Sequence, residues 1–247
     1  ARQGLLGDCS LIASLIAIAD RNVAAIRDMF IDNGDNTFTV RFFAGTLGHH
    51  FVNGVHTAGF TTGVGVADYV TVDRRLPSFS NGTLAYSGMG QSMTSSSTTL
   101  WIALAEKAYA QWNETRNSGR DGTNRYSSIE GGWMSNVNAQ VLGYNSTNHS
   151  FASTPKQTMI SALSAGRAVT LGTKTTVNSG LVGSHAYVVT GYNAATDRFT
   201  VFNPWGSTHP EPLTWAQLQA NCTMFVVTDT QGSNVVTTGD VRGGSGE

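Results

Sequence analysis

The chain has 247 residues, with 15 basic and 16 acidic side chains and a formal net charge of −1. No excess of Lys and Arg exists to neutralise phosphates, which removes the electrostatic case for nucleic acid or an anionic membrane surface as a partner. The longest apolar run, Leu11 to Ala19 with Ser14 inside it, is about half of the roughly 18 residues that a membrane helix needs.

In chain order, Gly4 and Gly7 bracket an irregular loop. Leu11, Ile12, Leu15, Ile16 and Ala19 then recur with helical period and predict a helix starting around Asp8–Cys9. Asn22 reads as the N-cap of a second helix, with Val23, Ile26, Met29 and Phe30 turned inward. The run 32–36 is a turn, lacking the length and terminal Glu of a calcium loop. Phe38, Val40 and Phe42 alternate with polar residues as a half-buried strand. The Gly-rich stretch 44–68 supports only short strands and loops. Its His49, His50 and His56 lack the Cys or carboxylate spacing of a zinc site.

A strand over Tyr69–Val72 ends before Pro77, and the Ser/Thr run 92–99 reads as a loop. Leu100, Trp101, Leu104, Ala108 and Trp112 mark a second strong helix, followed by a short one over 136–142. The polar stretch 145–150 is taken as a boundary. Beyond it one helix (156–165) precedes β-like runs at 168–171, 186–190, 199–202 and 224–227. The pattern predicts an α+β chain of two subdomains, a helical 1–144 and a β-rich 145–247, with a ligand cleft between them.

Four residues draw attention by context. Cys9 stands at a helix N-terminus, where unpaired N–H groups favour the nucleophilic thiolate; the bland alternative is a small buried hydrophobe. Cys222, in Asn221-Cys222-Thr223-Met224-Phe225, has no such features and reads as core, and two cysteines cannot form a disulfide framework. His185 opens a strand, and the hairpin connection 191–197 brings it near Asn203 on the next one. An Asn amide oxygen there could hold one imidazole nitrogen while the other faces a thiol. A structural histidine and an Asn-Pro turn are the competing readings. Gln3 lies in the loop before Cys9, where its amide and the Cys9 N–H would make two oxyanion donors.

Taken together, these segments resemble a known family. Gln3-Gly4-Leu5-Leu6-Gly7-Asp8-Cys9 is similar to the nucleophile motif of calpain-family, papain-like cysteine peptidases. The resemblance continues through Val72–Pro77, Leu100–Ala110, Gly131-Gly132, His185–Gly191 and Asn203-Pro204-Trp205-Gly206, in the family's order. It implies a papain-like fold whose first subdomain carries the nucleophile helix and whose second carries His and Asn, in a divergent member of prokaryotic type. Cys9 would be the nucleophile, His185 the general base and acid, Asn203 its orienting residue, and Gln3 with the Cys9 N–H the oxyanion hole. Trp205 would cover the His–Asn pair, and Gly143 and Ser184 are candidates for contact with substrate backbone. The implied activity is endoproteolysis of a protein or peptide substrate through a thioester. The alternatives are transpeptidation by the same acyl-enzyme and a non-catalytic binding module on the same scaffold.

Three departures stand out: Ser10 where the family has Trp, Arg74 where it has a second acid, and Ser184 where it has Gly. No cofactor is needed for the chemistry, and the resemblance makes calcium a candidate activator. The start at Ala1 and the Gly-rich tail 241–247 suggest a precursor, or further domains, removed by processing. Charged residues are 13%, about half the roughly 25% of ordinary domains, which points to secretion, with an intracellular location as the alternative. Sequons at Asn81, Asn113, Asn145, Asn148 and Asn221 are read as accidents of an Asn- and Thr-rich chain.

Overall fold

The structure, a computed structural model, describes the backbone of residues 1–52, 55–89 and 99–229, and the side chains of these residues except 49–52 and 55–57. The histidines at 49, 50 and 56, nearly all of the Ser/Thr run and the tail 241–247 fall, as side chains, outside the described residues. Helix α1 (Cys9–Arg21) begins where the periodicity places it. It is buried on more than one stripe, with Ser10 to Leu15, Ala17 and Ile18 all enclosed. Asn22 caps α2 (Val23–Arg27), its side-chain oxygen accepting from the Ala25 N–H at 3.0 Å.

The chain continues through β1 (Phe30–Asp32), β2 (Thr37–Ala44), β3 (Leu47–Val52), β4 (Val55–Phe60) and β5 (Val66–Asp73). A small antiparallel sheet has the order β1-β2-β5. Its buried residues Val40 and Phe42 follow the predicted alternation. Helix α3 (Trp101–Trp112) packs over this sheet: Phe42 stacks on Trp112 at 4.9 Å and meets the Tyr109 ring edge-on at 5.5 Å. The Lys107 ammonium pairs with the Asp73 carboxylate and also donates to the Asp73 and Arg75 carbonyls. Two blocks of the resemblance, 72–77 and 100–110, are thus fastened to each other.

Helix α4 (Met134–Leu142) ends at Gly143 in the left-handed region, φ +82°, where a β-carbon would stand 2.8 Å from the Phe43 ring. After it come β6 (Ser146–Ser150), α5 (Lys156–Ser164), β7 (Val169–Thr173), β8 (Ala186–Asn193), β9 (Arg198–Phe202), α6 (Trp215–Asn221) and β10 (Cys222–Thr228). A seven-stranded antiparallel sheet has the order β3-β4-β6-β10-β7-β8-β9. Its side chains alternate between two cores. Ala186, Val188 and Val226 join the core around α1 and α4. Tyr187, Val189, Phe225 and Val227 join residues of α5 and α6.

The polar stretch 145–150 is not a linker. Residues 146–150 form β6, flanked by β10 and β4 inside the large sheet. The hairpin β3–β4, from the first half of the chain, therefore belongs to the same sheet as β6–β10, and a boundary after residue 144 cuts that sheet. Pairing of the backbone on both sides outweighs the poor strand propensity of Ser146 and Asn148. Both are buried, and their side-chain polar atoms have no hydrogen-bond partner among the described residues. Asn145 joins the two segments: its Oδ1 accepts from the Phe60 N–H at 2.6 Å and its Nδ2 donates to the Phe60 carbonyl at 2.9 Å. Burial of Asn113, Asn145, Asn148 and Asn221 closes those four sequons, while Asn81 is exposed.

Phe42 is fully buried and packs on both Tyr109 and Trp112 of α3. Phe42→Ala should lower the unfolding free energy by about 3–5 kcal/mol, read as a shift of the urea midpoint at unchanged slope.

Candidate functional site

The loop before α1 is tied on two sides. Arg2 and Gly88 exchange main-chain hydrogen bonds at 2.7 and 2.9 Å, and the Leu5 N–H donates to the Ala85 carbonyl at 3.0 Å. Across the loop, the Gln3 N–H donates to the Pro204 carbonyl at 2.7 Å. Gly4 is required for this close approach, since a β-carbon would lie 2.3 Å from the Tyr86 carbonyl. These bonds set the loop before α1 against the Asn203-Pro204-Trp205 segment, which the sequence separates by about two hundred positions.

Cys9 is the first residue of α1, and the Ala186 N–H is among the groups that favour its thiolate. His185 directly precedes Ala186, the first residue of β8. His185 Nε2 lies 3.0 Å from Asn203 Oδ1. The orientation of that amide follows from its other partners. Asn203 Nδ2 donates to the Thr208 carbonyl at 3.2 Å, and the Trp205 N–H donates to Oδ1 at 3.1 Å. Oδ1 is therefore the atom facing the ring, which sets the His185 tautomer as Nε2–H and leaves Nδ1 with its lone pair. The Trp205 indole covers the imidazole at 5.0 Å and Tyr187 meets it edge-on at 4.9 Å.

Enclosure dominates the electrostatics. Burial pushes the Cys9 thiol up; the N–H groups of Ala186, Ser10 and Cys9 pull it back, while Asp8 adds to the rise. The sequence expectation of a dipole-stabilised thiolate is thus outweighed by desolvation for the thiol taken alone. Burial likewise holds His185 below its ordinary value, opposed by the bond to Asn203. Cys222 is buried in the β10 core and pushed up to about 12.

Gln3 is buried beside Cys9's loop. Its Nε2 donates to the Leu6 carbonyl at 2.5 Å, leaving the second amide hydrogen uncommitted, and Oε1 has no partner. Ser10 uses its small size: its hydroxyl donates to the Gly131 carbonyl at 2.7 Å. Arg120 clamps the same segment, donating to the carbonyls of Glu130 at 3.1 Å and Gly131 at 2.9 Å. Residues 130–131 are bound to Gly7 in turn. Ser184 sits at φ +51°, which accounts for the family's preference for glycine at that position. Arg74 lies over the Phe38 ring and lines an apolar hollow with Ala19, Val23, Phe30 and Trp101, none of them a candidate site residue.

Gly143 is not brought to Cys9. Its neighbours Leu142 and Tyr144 line a hollow with Arg21 and Asn22, at the opposite end of α1, a helix about 20 Å long. Sequence reasoning passed over Asp8, Glu106 and Arg120 as site residues. The available signal was a charged Glu106 inside the apolar run 102–110.

Over residues 1–217 the chain matches the family described as calpain family cysteine protease. That family defines a class of thiol proteases, hydrolases that act on proteins, and implies a papain-like fold, with which the mixed helix and sheet architecture agrees. The chain belongs to the calpain family. No curated protein matches it.

Two outcomes follow from this geometry. A thiol reagent should modify one cysteine in the folded protein and two after denaturation, with peptide mapping placing the first at Cys9. Ser184→Gly should relieve left-handed strain and raise stability by about 1 kcal/mol, measured by thermal unfolding.

Proposed function

We propose that the chain is a calpain-like cysteine endopeptidase that works through Cys9, His185 and Asn203, in a cleft between the helical part and the large sheet. The observation that carries this reading is the His185–Asn203 pair, its tautomer set by Thr208 and Trp205, beside a thiol at the start of a buried helix. His185 Nδ1 takes the Cys9 proton as sulfur attacks the peptide carbonyl. The same nitrogen, now N–H, gives that proton to the leaving amine. Water, deprotonated by Nδ1, then hydrolyses the thioester. Asn203 Oδ1 holds the ring in place and stabilises its cationic form.

Desolvation penalises either charge alone, so proton transfer and charge pairing between sulfur and imidazole occur together. The oxyanion would meet the Cys9 N–H and the uncommitted Gln3 amide hydrogen, each donor of this kind being worth about 3–4 kcal/mol. Trp205 keeps water from competing for the Nε2–Oδ1 bond. Calcium, which the resemblance makes a candidate activator, is not needed for these steps. Among the described residues no group of three or more His, Cys, Asp or Glu side chains is arranged to hold a metal ion.

Cys9→Ala should abolish cleavage of an unfolded protein substrate while the thermal transition is retained, and a thiol-directed epoxide should label Cys9 in the parent. An unreactive Cys9 would instead favour a binding module. Asn203→Ala should lower kcat about 100-fold through misplacement of the ring. The Asn203 bond raises the His185 pKa against burial. Without it the imidazole loses its proton more readily, and the acid limb of kcat/KM should move to lower pH.

A further inference from the structure

Asp8 occupies the N-cap of α1, yet its side chain caps nothing. An N-cap Asp ordinarily accepts from the N–H of the second or third helical residue. Here both carboxyl oxygens are enclosed, at 0% exposure, and neither meets a geometrically sound donor. The carboxyl is turned inward against Glu106 of α3, itself 1% exposed. Two carboxylates offer only acceptors to each other, so the contact makes sense only with a proton inside it.

The donors around the pair decide where that proton sits. Glu106 Oε2 accepts from the Ser87 N–H at 3.0 Å and from the Ser87 hydroxyl at 2.8 Å. Glu106 is solvated as an anion; Asp8 is not. We propose that Asp8 is a positioning residue of the proposed protease site, carrying the one proton of the Asp8–Glu106 pair and donating it to the Glu106 carboxylate. The inference rests on the endopeptidase reading for its consequence, though not for its measurement.

The remaining groups around the pair agree with this. Burial and then the Glu106 charge hold Asp8 well above the ordinary carboxylate range, against the pull of Arg120. Burial also raises Glu106, with Ser87 and Asp8 opposing. Tyr126, stacked on Tyr86 at 4.3 Å, faces Glu106 and stays neutral, its phenol pushed up by burial and by that charge. Cys9 is the next residue, and a charge on Asp8 would raise its thiol further.

The proton has two effects on the site. A charged Asp8 would be drawn to the free N–H groups at the start of α1, those the oxyanion would use. It would also place an anion beside the sulfur that must become one. Protonated and turned inward, Asp8 leaves that end of the helix open. Ser87 extends the arrangement, because its neighbours Ala85 and Gly88 bind Leu5 and Arg2. The loop of Gln3, the start of α1 and the middle of α3 therefore meet at one shared proton.

Infrared spectroscopy of the unmodified protein tests the assignment without any variant. A carboxylic-acid C=O band should persist at neutral pH, shift on labelling with 13C-aspartate and stay in place on labelling with 13C-glutamate. Absence of the band, or a shift only with 13C-glutamate, would overturn the proposal. Asp8→Asn keeps the donor to Glu106 and the neutral charge. It should remove the acid band and leave the pH dependence of Cys9 alkylation by iodoacetamide superimposable on the parent. A displacement of that profile to lower pH would mean that Asp8 is ionised in the parent, and the proposal would fail. Glu106→Gln donates to Asp8 and favours its anion, so the alkylation profile should move about one pH unit to the alkaline side. None of these readouts needs peptide cleavage, so loss of the endopeptidase reading would be seen separately, in the substrate assay.

Discussion

Helix α1 lies along β8, with Cys9 at the end near Ala186, whose N–H favours the thiolate. At its far end the Arg21 guanidinium donates to the Thr190 carbonyl. Between these points the helix is enclosed by α4 and by the face of the large sheet bearing Ala186, Val188 and Val226. A helix with solvent on one side can shift or rotate at modest cost; one enclosed this fully cannot move without opening cavities around Leu11, Ile12, Leu15 and Ile18. The packing of an apolar helix thus sets the position of a polar atom at its tip.

The polar network around that atom is held by saturation. Each polar atom of the Asn203 side chain is assigned, and the Asn203 N–H donates to His209 Nδ1 at 3.0 Å. An amide with every partner named cannot flip without orphaning a buried group, a cost of roughly 1–3 kcal/mol. Rigidity here is chemical as well as steric, and it fixes which imidazole nitrogen is free. The same enclosure that makes these bonds firm also disfavours isolated charges on Cys9, His185 and Asp8. Burial of this kind favours protons shared between neighbouring groups over solvated ions.

The large sheet shows where tertiary context overrode local preference. Residues 146–150, Ser-Thr-Asn-His-Ser, have the composition of a linker and become an interior strand. What recruits them is the unpaired edges of β10 and β4 on either side, which a strand of almost any composition can satisfy through its backbone. The Gly-rich segment before Phe60 became two strands for the same reason, and so the second half of the chain shares its sheet with the first. Ser10 is a related case: where a large ring would have been packed, a hydroxyl binds the Gly131 carbonyl, and Arg120 draws the same segment inward.

The start of α1, the extent of α3, the alternation in β2, the hairpin linking His185 to Asn203 and the burial of Cys222 were all legible in the amino-acid order, because each depends on periodicity or turn chemistry over a dozen residues. Membership of the calpain family was legible too, through motifs in a shared order. The course of the large sheet, the separation of Gly143 from Cys9 and the Asp8–Glu106 contact were decided only in three dimensions. Each depends on residues far apart in the chain coming within a few ångströms, and on the loss of water that follows. Spacing along a sequence carries no record of desolvation, which is why the thiol read as acidic from its helix position and proves to be held up by its surroundings.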